Sequence, residues 1–295
     1  MDELTVAKTT IEKHRQVAFG LLPGQRLQDA EQAVEFVNAR GFVYFWPIKG
    51  IDLPSLWVAA AGDRPVADAH DDPGHVTWGW KDGLLGKRRW HYGKVLRKRA
   101  TMISLEVLPY FYALSENYGD PAEDHLILYE QGRLSQEAKA IYDALLDEGA
   151  LDTLALRKAA RMSSAESNSR FERALSELQA DFKIMPVGVA PVGAWRYAFI
   201  YEIVARHYPD LIDRTRFISN EQAYQKLSLL YLEMLGAAQT SDLVKLFGWK
   251  SAAVQAALAA LAVQGQVRLD YQAEGQPGNF AVLEKLTKNE NSTDI

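Results

Sequence analysis

Residues 240–271 read TSDLVKLFGWKSAAVQAALAALAVQGQVRLDY, and this stretch decides the expected fold. It begins with a short helix that we expect Thr240 to cap, because its hydroxyl can accept a hydrogen bond from a free backbone N–H. Gly248 ends that helix, and Ser251 starts a second one that Gly265 closes. The apolar face of the second helix is expected to consist of Val254, Leu258 and Leu261.

Two strands are expected after these helices. Apolar and polar residues alternate from Val267 to Tyr271, as they do in a half-buried strand. Residues 275–278, Gly-Gln-Pro-Gly, are typical of a turn, so a returning strand would begin at Phe280. A helix, a turn, a second helix and a two-stranded hairpin together predict a winged helix.

The same plan occurs more than once along the chain. Residues 135–149 and 223–236 each form an apolar helical stripe that ends in a glycine. A threonine follows that glycine by four positions in both copies, Thr153 in one and Thr240 in the other. Internal repetition of this kind predicts a mainly α chain with small β-hairpins, built from tandem winged helix-turn-helix modules.

Composition and length narrow the class of protein. The chain has 295 residues, of which 48% are hydrophobic, so it can bury substantial cores in two or three domains. It contains no cysteine, which excludes disulfides and zinc–thiolate sites. The first residues have no signal-peptide pattern, and no apolar run could span a bilayer. We therefore expect a protein without a membrane partner, located in the cytoplasm, or associated with the nucleoid if the source is prokaryotic.

The expected domain boundaries follow the repeated modules. We expect no cofactor, because the chain carries no Walker motif, no G-x-S-x-G and no dinucleotide fingerprint. The expected segments are a lead-in over 1–24, a degraded first winged-helix unit with a basic strip over 25–120, a second winged helix over 121–210, a third over 211–286 and a disordered tail over 287–295.

One polar cluster has the side chains of a metal site. The segment 68–75 contains Asp68, Asp72 and His75 among its possible ligands for a divalent ion. Its spacing matches no motif of fixed geometry, and Asp-Asp-Pro-Gly is ordinary turn chemistry. We therefore interpret the cluster as a loop and predict no metal.

Charge is concentrated in a basic strip, residues 81–99. This strip holds eight basic and one acidic side chain, a net charge of +7, so the rest of the chain carries −12 against a total of −5. Cations would hold phosphates, and the neighbouring aromatic residues Trp78, Trp80, Trp90 and Tyr92 would stack on bases or wedge into a step. The alternative is that the aromatic residues are core and the cations a solvated face. The candidate DNA-binding residues of the strip are Lys87, Arg88, Arg89, Lys94, Arg97, Lys98 and Arg99.

The two clear recognition helices differ in what they expose. The helix expected over 164–180 would present polar groups that can bond phosphates or base edges, namely Ser167, Asn168, Arg170 and Arg173. The alternative for its arginines is simple helix-surface solubility. The helix that starts at Ser251 is mostly alanine, which is typical of a packing or dimerising element.

Several local sequences resemble one family of enzymes. The segments are RGFVYFW over 40–46, Leu56-Trp57 ahead of Gly62-Asp63, and 100–111 with its ending LPYF. They are similar to the winged-helix DNA glycosylases of the AlkZ/YcaQ type, which unhook interstrand crosslinks and release bulky alkylpurines. The resemblance covers most of residues 25–285 and implies tandem winged helices around a DNA channel, usually closed by a small C-terminal β-barrel.

The chain departs from this family where the resemblance implies catalysis. The family has a Gln, an apolar residue and a Gln or Asp that position or activate the attacking water, and the matching positions here are Tyr44, Phe45 and Trp46. A phenol and an indole cannot replace a carboxylate or carboxamide in that role. Asp52 is the candidate for a relocated catalytic carboxylate, although it could instead cap a helix over 53–61. We also expect no room for the β-barrel after the third winged helix.

Three functional hypotheses remain open at this point. The first is a DNA-binding relative that engages double-stranded DNA, intact or damaged, without the usual catalytic motif. The second is an active glycosylase that uses Asp52. The third is a winged-helix transcription regulator, whose alanine-rich third module would supply the dimer interface.

Overall fold

The chain is mainly α-helical with small β-sheets, as expected. A computed structural model describes residues 4–193 and 195–287. The helices are α1 (Lys8–Ala18), α2 (Ala30–Arg40), α3 (Leu56–Ala61), α4 (Val76–Leu84), α5 (Leu108–Ala113), α6 (Asp124–Glu130), α7 (Gln136–Glu148), α8 (Thr153–Ala159), α9 (Asn168–Ala180), α10 (Val204–His207), α11 (Leu211–Thr215), α12 (Asn220–Leu235), α13 (Thr240–Phe247), α14 (Ser251–Val263) and α15 (Glu284–Thr287). The strands are β1 (Thr5–Val6), β2 (Phe42–Tyr44), β3 (His91–Lys94), β4 (Ala100–Ile103), β5 (Leu151–Asp152), β6 (Ile184–Ala190), β7 (Ala198–Ile203), β8 (Ala237–Ala238), β9 (Val267–Ala273) and β10 (Gln276–Leu283).

The chain forms two compact units. The first unit combines the residues up to Thr77 with those from Ser219 onward, and the second unit is Trp78–Ile218. Of the expected tail over 287–295, only Thr287 is described, at the end of α15, and the rest lies outside the described residues.

The C-terminal half of the first unit contains the sequence that opened the prediction. A capping box between Ser219 and Gln222 starts α12, which ends at Gly236 with φ 77°. Strand β8 pairs antiparallel with β10, and β10 pairs antiparallel with β9. The expected apolar face of α14 is confirmed, since its members are buried: Val254, Leu258 and Leu261.

Two local expectations in this half are wrong. Gln239, not Thr240, is the N-cap of α13, because Gln239 has the extended backbone that precedes the helix and its N–H donates to the Asp242 carboxylate at 2.8 Å. The returning strand begins at Gln276 rather than Phe280. The turn consists of Glu274 and Gly275 alone, and Gly275 supplies the positive φ of 74° that a two-residue turn requires.

The N-terminal half of the first unit places the residues of the family resemblance. Asp29 caps α2 by accepting the N–H of Gln32 at 2.9 Å, and Gly41 ends that helix with φ 80°. The buried strand β2 follows directly. Ser55 caps α3 by accepting the N–H of Val58, so the expected cap at Asp52 is wrong.

The second unit repeats the element order of the C-terminal half of the first. Helices α7, α8 and α9 are followed by the hairpin of β6 and β7, and β5 pairs with β7 as β8 pairs with β10. Ser135 caps α7, which ends at Gly149. The helix expected over 164–180 begins later, at Asn168, after a 3₁₀ turn over Ala165–Ser167. Its inner face is buried as Phe171, Ala174, Leu175 and Leu178.

Candidate functional site

The basic strip includes a β-hairpin with a cationic loop. Strands β3 and β4 pair antiparallel up to Lys94 and Ala100, and residues 95–99 between them form what we call the basic loop. Arg97 and Lys98 take left-handed backbone conformations with φ of 54° and 56°. Because neither residue is a glycine, each of these conformations costs about 1 kcal/mol. The buried Thr101 hydroxyl stabilises the loop, because it accepts the N–H of Leu96 at 3.2 Å and donates to the Arg99 carbonyl at 2.8 Å.

The basic loop presents its cations to solvent. The side chains of Arg97, Lys98 and Arg99 are exposed, and none of them forms an ion pair within the described residues. Lys87 and Arg88 are exposed on the preceding turn, whereas Arg89 is half-buried. Lys94 is half-buried and lies 3.5 Å from the Glu172 carboxylate. The candidates at 87–99 thus lie on two neighbouring turns and the strand between them.

Lys81 does not belong to this exposed set, although it is one of the eight basic residues of the strip. Its side chain is 3% exposed and its ammonium lies 2.9 Å from Asp82. The ammonium also donates to the Tyr197 hydroxyl at 3.1 Å. Burial lowers the pKa of Lys81, and the Asp82 carboxylate opposes that shift. Lys81 is therefore a buried, paired cation and not a phosphate contact.

Most aromatic residues of the strip are core, so their expected role in stacking on bases is wrong. Trp80, Trp90 and Tyr92 are at most 9% exposed. Trp78 alone of this group is largely accessible, with 42% of its surface exposed. The alternative interpretation of these tryptophans as core thus holds for Trp80 and Trp90.

His91 is the first residue of β3, at the end of the hairpin away from the basic loop. It is fully buried, and neither ring nitrogen has a hydrogen-bond partner among the described residues. Burial, with a smaller contribution from the charge of nearby His207, lowers the pKa of His91 to about 3. His91 is therefore neutral in the folded protein at any ordinary pH.

The segment expected as a helix over 164–180 exposes fewer polar groups than expected. Ser167 is 3% exposed and its hydroxyl donates to the Met162 carbonyl at 2.6 Å, so the prediction that it faces solvent is wrong. Asn168 is exposed but its side-chain oxygen accepts a hydrogen bond from Arg157. Arg170 lies 3.4 Å from the Glu137 carboxylate. Arg173 is exposed and forms no ion pair within the described chain.

Two of the three positions that correspond to the family's catalytic motif are buried. Tyr44 is 0% exposed and Phe45 is 2% exposed, both at the end of β2. Trp46 is half-buried and its ring packs against Trp57 at 5.1 Å and His75 at 5.9 Å. Phe45 and Trp46 pack edge to face, with ring centres 4.6 Å apart, and none of the three side chains is a carboxylate.

Asp52 is the exposed carboxylate that follows this segment. Its side chain is 64% exposed and lies 3.4 Å from the Arg15 guanidinium. Arg15 is held in place because it also donates to the Leu235 carbonyl at 3.1 Å. Close by, burial raises the pKa of Tyr231, and the negative charges of Asp242 and Asp52 add to that shift. Asp52 therefore has the charge and the access to solvent that Tyr44 lacks.

The polar segment 68–75 is a structured turn, as interpreted. Arg64 makes two hydrogen bonds with the Asp72 carboxylate, at 2.6 and 3.0 Å, and Asp72 accepts the N–H of Gly74 at 2.8 Å. The hydrogen bond from Arg64 lowers the pKa of Asp72. The described residues include no group of three or more His, Asp or Glu side chains that could hold a metal ion. Within residues 4–193 and 195–287, no helix is long and apolar enough to cross a bilayer.

Comparison with known proteins identifies the family. Residues 27–248 match the sequence model of the family described as AlkZ related. The chain belongs to the AlkZ-related family. A solved structure, the DNA glycosylase AlkZ of Streptomyces sahachiroi, has a TM-score of 0.58 with this chain at 12% sequence identity. The match covers 96% of this chain and 72% of that chain, and at this identity it shows a shared fold alone. No curated protein matched.

Two large side chains of this AlkZ-related chain escaped the sequence argument. Trp195 is 92% exposed between β6 and β7, and Phe217 is 86% exposed after α11. Residues 191–193, Pro-Val-Gly, form a turn signal that ends two positions before Trp195, and a tryptophan at a hairpin tip is not placed to pack in a core. This turn sequence could have predicted the exposure of Trp195, whereas no comparable sequence surrounds Phe217.

Proposed function

We propose that this member of the AlkZ-related family binds double-stranded DNA, intact or damaged, through its basic strip. The observation that carries the proposal is the basic loop, where three adjacent exposed cations form no ion pair with the rest of the described chain. Double-stranded DNA is an abundant polyanion whose phosphates these three cations can contact. Each phosphate that a cation neutralises releases counterions. The backbone strain at Arg97 and Lys98 supports the same conclusion, because strained conformations concentrate at functional sites.

We infer that the two modules with the same element order, one in each compact unit, are winged helices. Each has three helices followed by a hairpin, and each has a short strand after the first helix that pairs with the second hairpin strand. The first contains α12, α13 and α14, and the second contains α7, α8 and α9. In such modules the third helix meets DNA, which makes Asn168, Arg170 and Arg173 of α9 the proposed secondary contacts.

The experiment that tests the binding proposal compares two triple variants. Arg97, Lys98 and Arg99 are replaced together by alanine, and the control replaces three exposed lysines outside the strip, Lys13, Lys49 and Lys245. Both variants lose the same charge. Only the first is expected to weaken binding to short duplexes of unrelated sequence, by about tenfold or more, measured by fluorescence anisotropy. Equal affinities for the two variants would contradict the proposal.

We also propose that residues 44–46 take no part in activating water. A buried phenol and two aromatic rings offer no negative charge to an attacking water or to the sugar. A second candidate function, base release by a relocated carboxylate, is favoured by one observation: Asp52 is exposed and is held by Arg15 beside this segment. Of these two functions, DNA binding needs no residue beyond the cations already described.

A further inference from the structure

The tip of the β6–β7 hairpin carries an aromatic side chain that packs against almost nothing. Trp195 is 92% exposed, and Arg196 beside it is exposed with φ 50°. A tryptophan normally buries one of the largest apolar surfaces of any residue, so leaving one in water without a partner is unfavourable. The hairpin tip thus exposes a flat ring and a guanidinium on successive residues.

The base of this tip is clamped to α4. The Tyr197 hydroxyl accepts a hydrogen bond from the Lys81 ammonium at 3.1 Å and donates one to the Asp82 carboxylate at 2.9 Å. The ammonium also lies 4.8 Å from the ring centres of both Trp78 and Phe199. A cation buried among aromatic faces and a carboxylate holds its neighbours firmly. The chain is therefore fixed two residues after Trp195, which keeps the indole projecting outward.

Cations lie at the tip and beside strand β6, and the Asp82 carboxylate that is bonded to Tyr197 is paired with Lys81. A Cβ built at Gly86 would collide with the Val187 carbonyl of β6, so the turn that carries Lys87 and Arg88 lies directly against this hairpin. Residues 184–201 include Arg196 and contain no Asp or Glu. An anionic partner is favoured by this charge, and a single projecting ring suits stacking on a flat group better than broad apolar contact.

We propose that Trp195 stacks on a nucleobase where a base pair of the duplex is disrupted, while Arg196 contacts the adjacent phosphate. This inference rests on the proposed DNA binding and deepens it, because it assigns recognition of a disrupted pair to the hairpin tip. An intact duplex keeps its bases stacked on one another and offers the ring no free face. A gap in the stack does offer one.

The test uses two duplexes of one sequence, one intact and one with a single tetrahydrofuran abasic analogue opposite 2-aminopurine. The wild type is expected to bind the abasic duplex about tenfold more tightly than the intact one, which is the contribution of one base–aromatic stack. Trp195→Ala should lose that preference and keep its affinity for the intact duplex, whereas Trp195→Phe should retain most of it. Phe217→Ala is the matched control, since it removes an equally exposed aromatic residue of the same unit and should change nothing.

A second variant tests the clamp without removing the ring. Tyr197→Phe deletes the hydroxyl that bonds Lys81 and Asp82, and Tyr197 is in this sense a positioning residue. The preference for the abasic duplex should fall several-fold, while the affinity for the intact duplex stays within twofold of the wild-type value. Quenching of 2-aminopurine by the wild type, absent in Trp195→Ala, would show that the ring reaches the unpaired base.

The outcomes separate this inference from the proposal on which it rests. Failure of the wild type to bind either duplex in a salt-dependent way would overturn both. Salt-dependent binding with an unchanged preference in Trp195→Ala would overturn only the role of Trp195. Binding to phosphatidylserine vesicles that Trp195→Ala loses, with its preference between duplexes intact, would show instead that the tip meets a lipid surface, and would also overturn it.

Discussion

Tyr44 and Asp52 show at the level of single residues how the chain differs from the motif of its family. Tyr44 is fully buried where the resemblance expects a side chain that positions water, and Asp52 lies exposed eight positions later. The aromatic replacements could be identified from the sequence, because residue types are visible there. Their burial and the ion pair of Asp52 with Arg15 could not, since both depend on residues far apart in the chain.

Base release tests these two positions directly. Wild-type protein incubated with alkylated and crosslinked duplexes is expected to leave no abasic sites, because residues 44–46 offer no group to activate water. Tyr44→Ala and Asp52→Asn should likewise release no base. Base release by the wild type that disappears in Asp52→Asn would contradict this account and make Asp52 the catalyst.

His91 predicts a specific pH dependence of stability. Its folded pKa of about 3 lies below the unfolded value near 6.5, so the unfolded chain binds a proton that the folded chain excludes. The free energy of unfolding should therefore fall as the pH drops below about 6.5. Between pH 7 and pH 5, the free energy of unfolding of His91→Leu, measured with urea, should decrease by about 2 kcal/mol less than that of the wild type. His70→Leu, which removes an exposed histidine, should behave as the wild type does.

At the scale of elements, helices were easier to predict than turns. The apolar stripes of α9, α12 and α14 carry a helical period that only one face can bury, so their inner residues could be predicted. The hairpin of β3 and β4 could not, because its loop places Arg97 and Lys98 in left-handed conformations without any glycine or asparagine signal. At the turn before β10 the glycine signal was present but extended too far, because Pro277 and Gly278 lie in β10 and the turn is only Glu274 and Gly275.

Two glycines around α4 should respond to alanine with opposite signs. Gly86 has φ 71° and faces the Val187 carbonyl, so Gly86→Ala should lower the free energy of unfolding by about 2 kcal/mol or more. Gly83 lies inside α4, and a Cβ there would meet no atom within 4 Å. Gly83→Ala should therefore raise it by about 0.5–1 kcal/mol. Equal effects in urea unfolding would show that the turn at Gly86 does not press on β6.

The whole chain carries its charge unevenly, and this distribution bears on what it binds. Residues 81–99 hold +7 within a chain of net charge −5, so most of the surface repels a polyanion while one strip attracts it. The strip was visible in the sequence as a run of cations. The separation of its exposed members from the buried Lys81 was not, because that depends on Tyr197, which is far away in sequence.

The salt dependence of duplex binding tests the central claim most directly. The logarithm of the binding constant should fall linearly with the logarithm of salt concentration, with a slope of about 0.9 for each phosphate contact. Replacing Arg97, Lys98 and Arg99 by alanine should reduce that slope by roughly two to three, while the control variant at Lys13, Lys49 and Lys245 keeps the wild-type value. An unchanged slope in the first variant would contradict the account and leave the basic loop as a solvated surface.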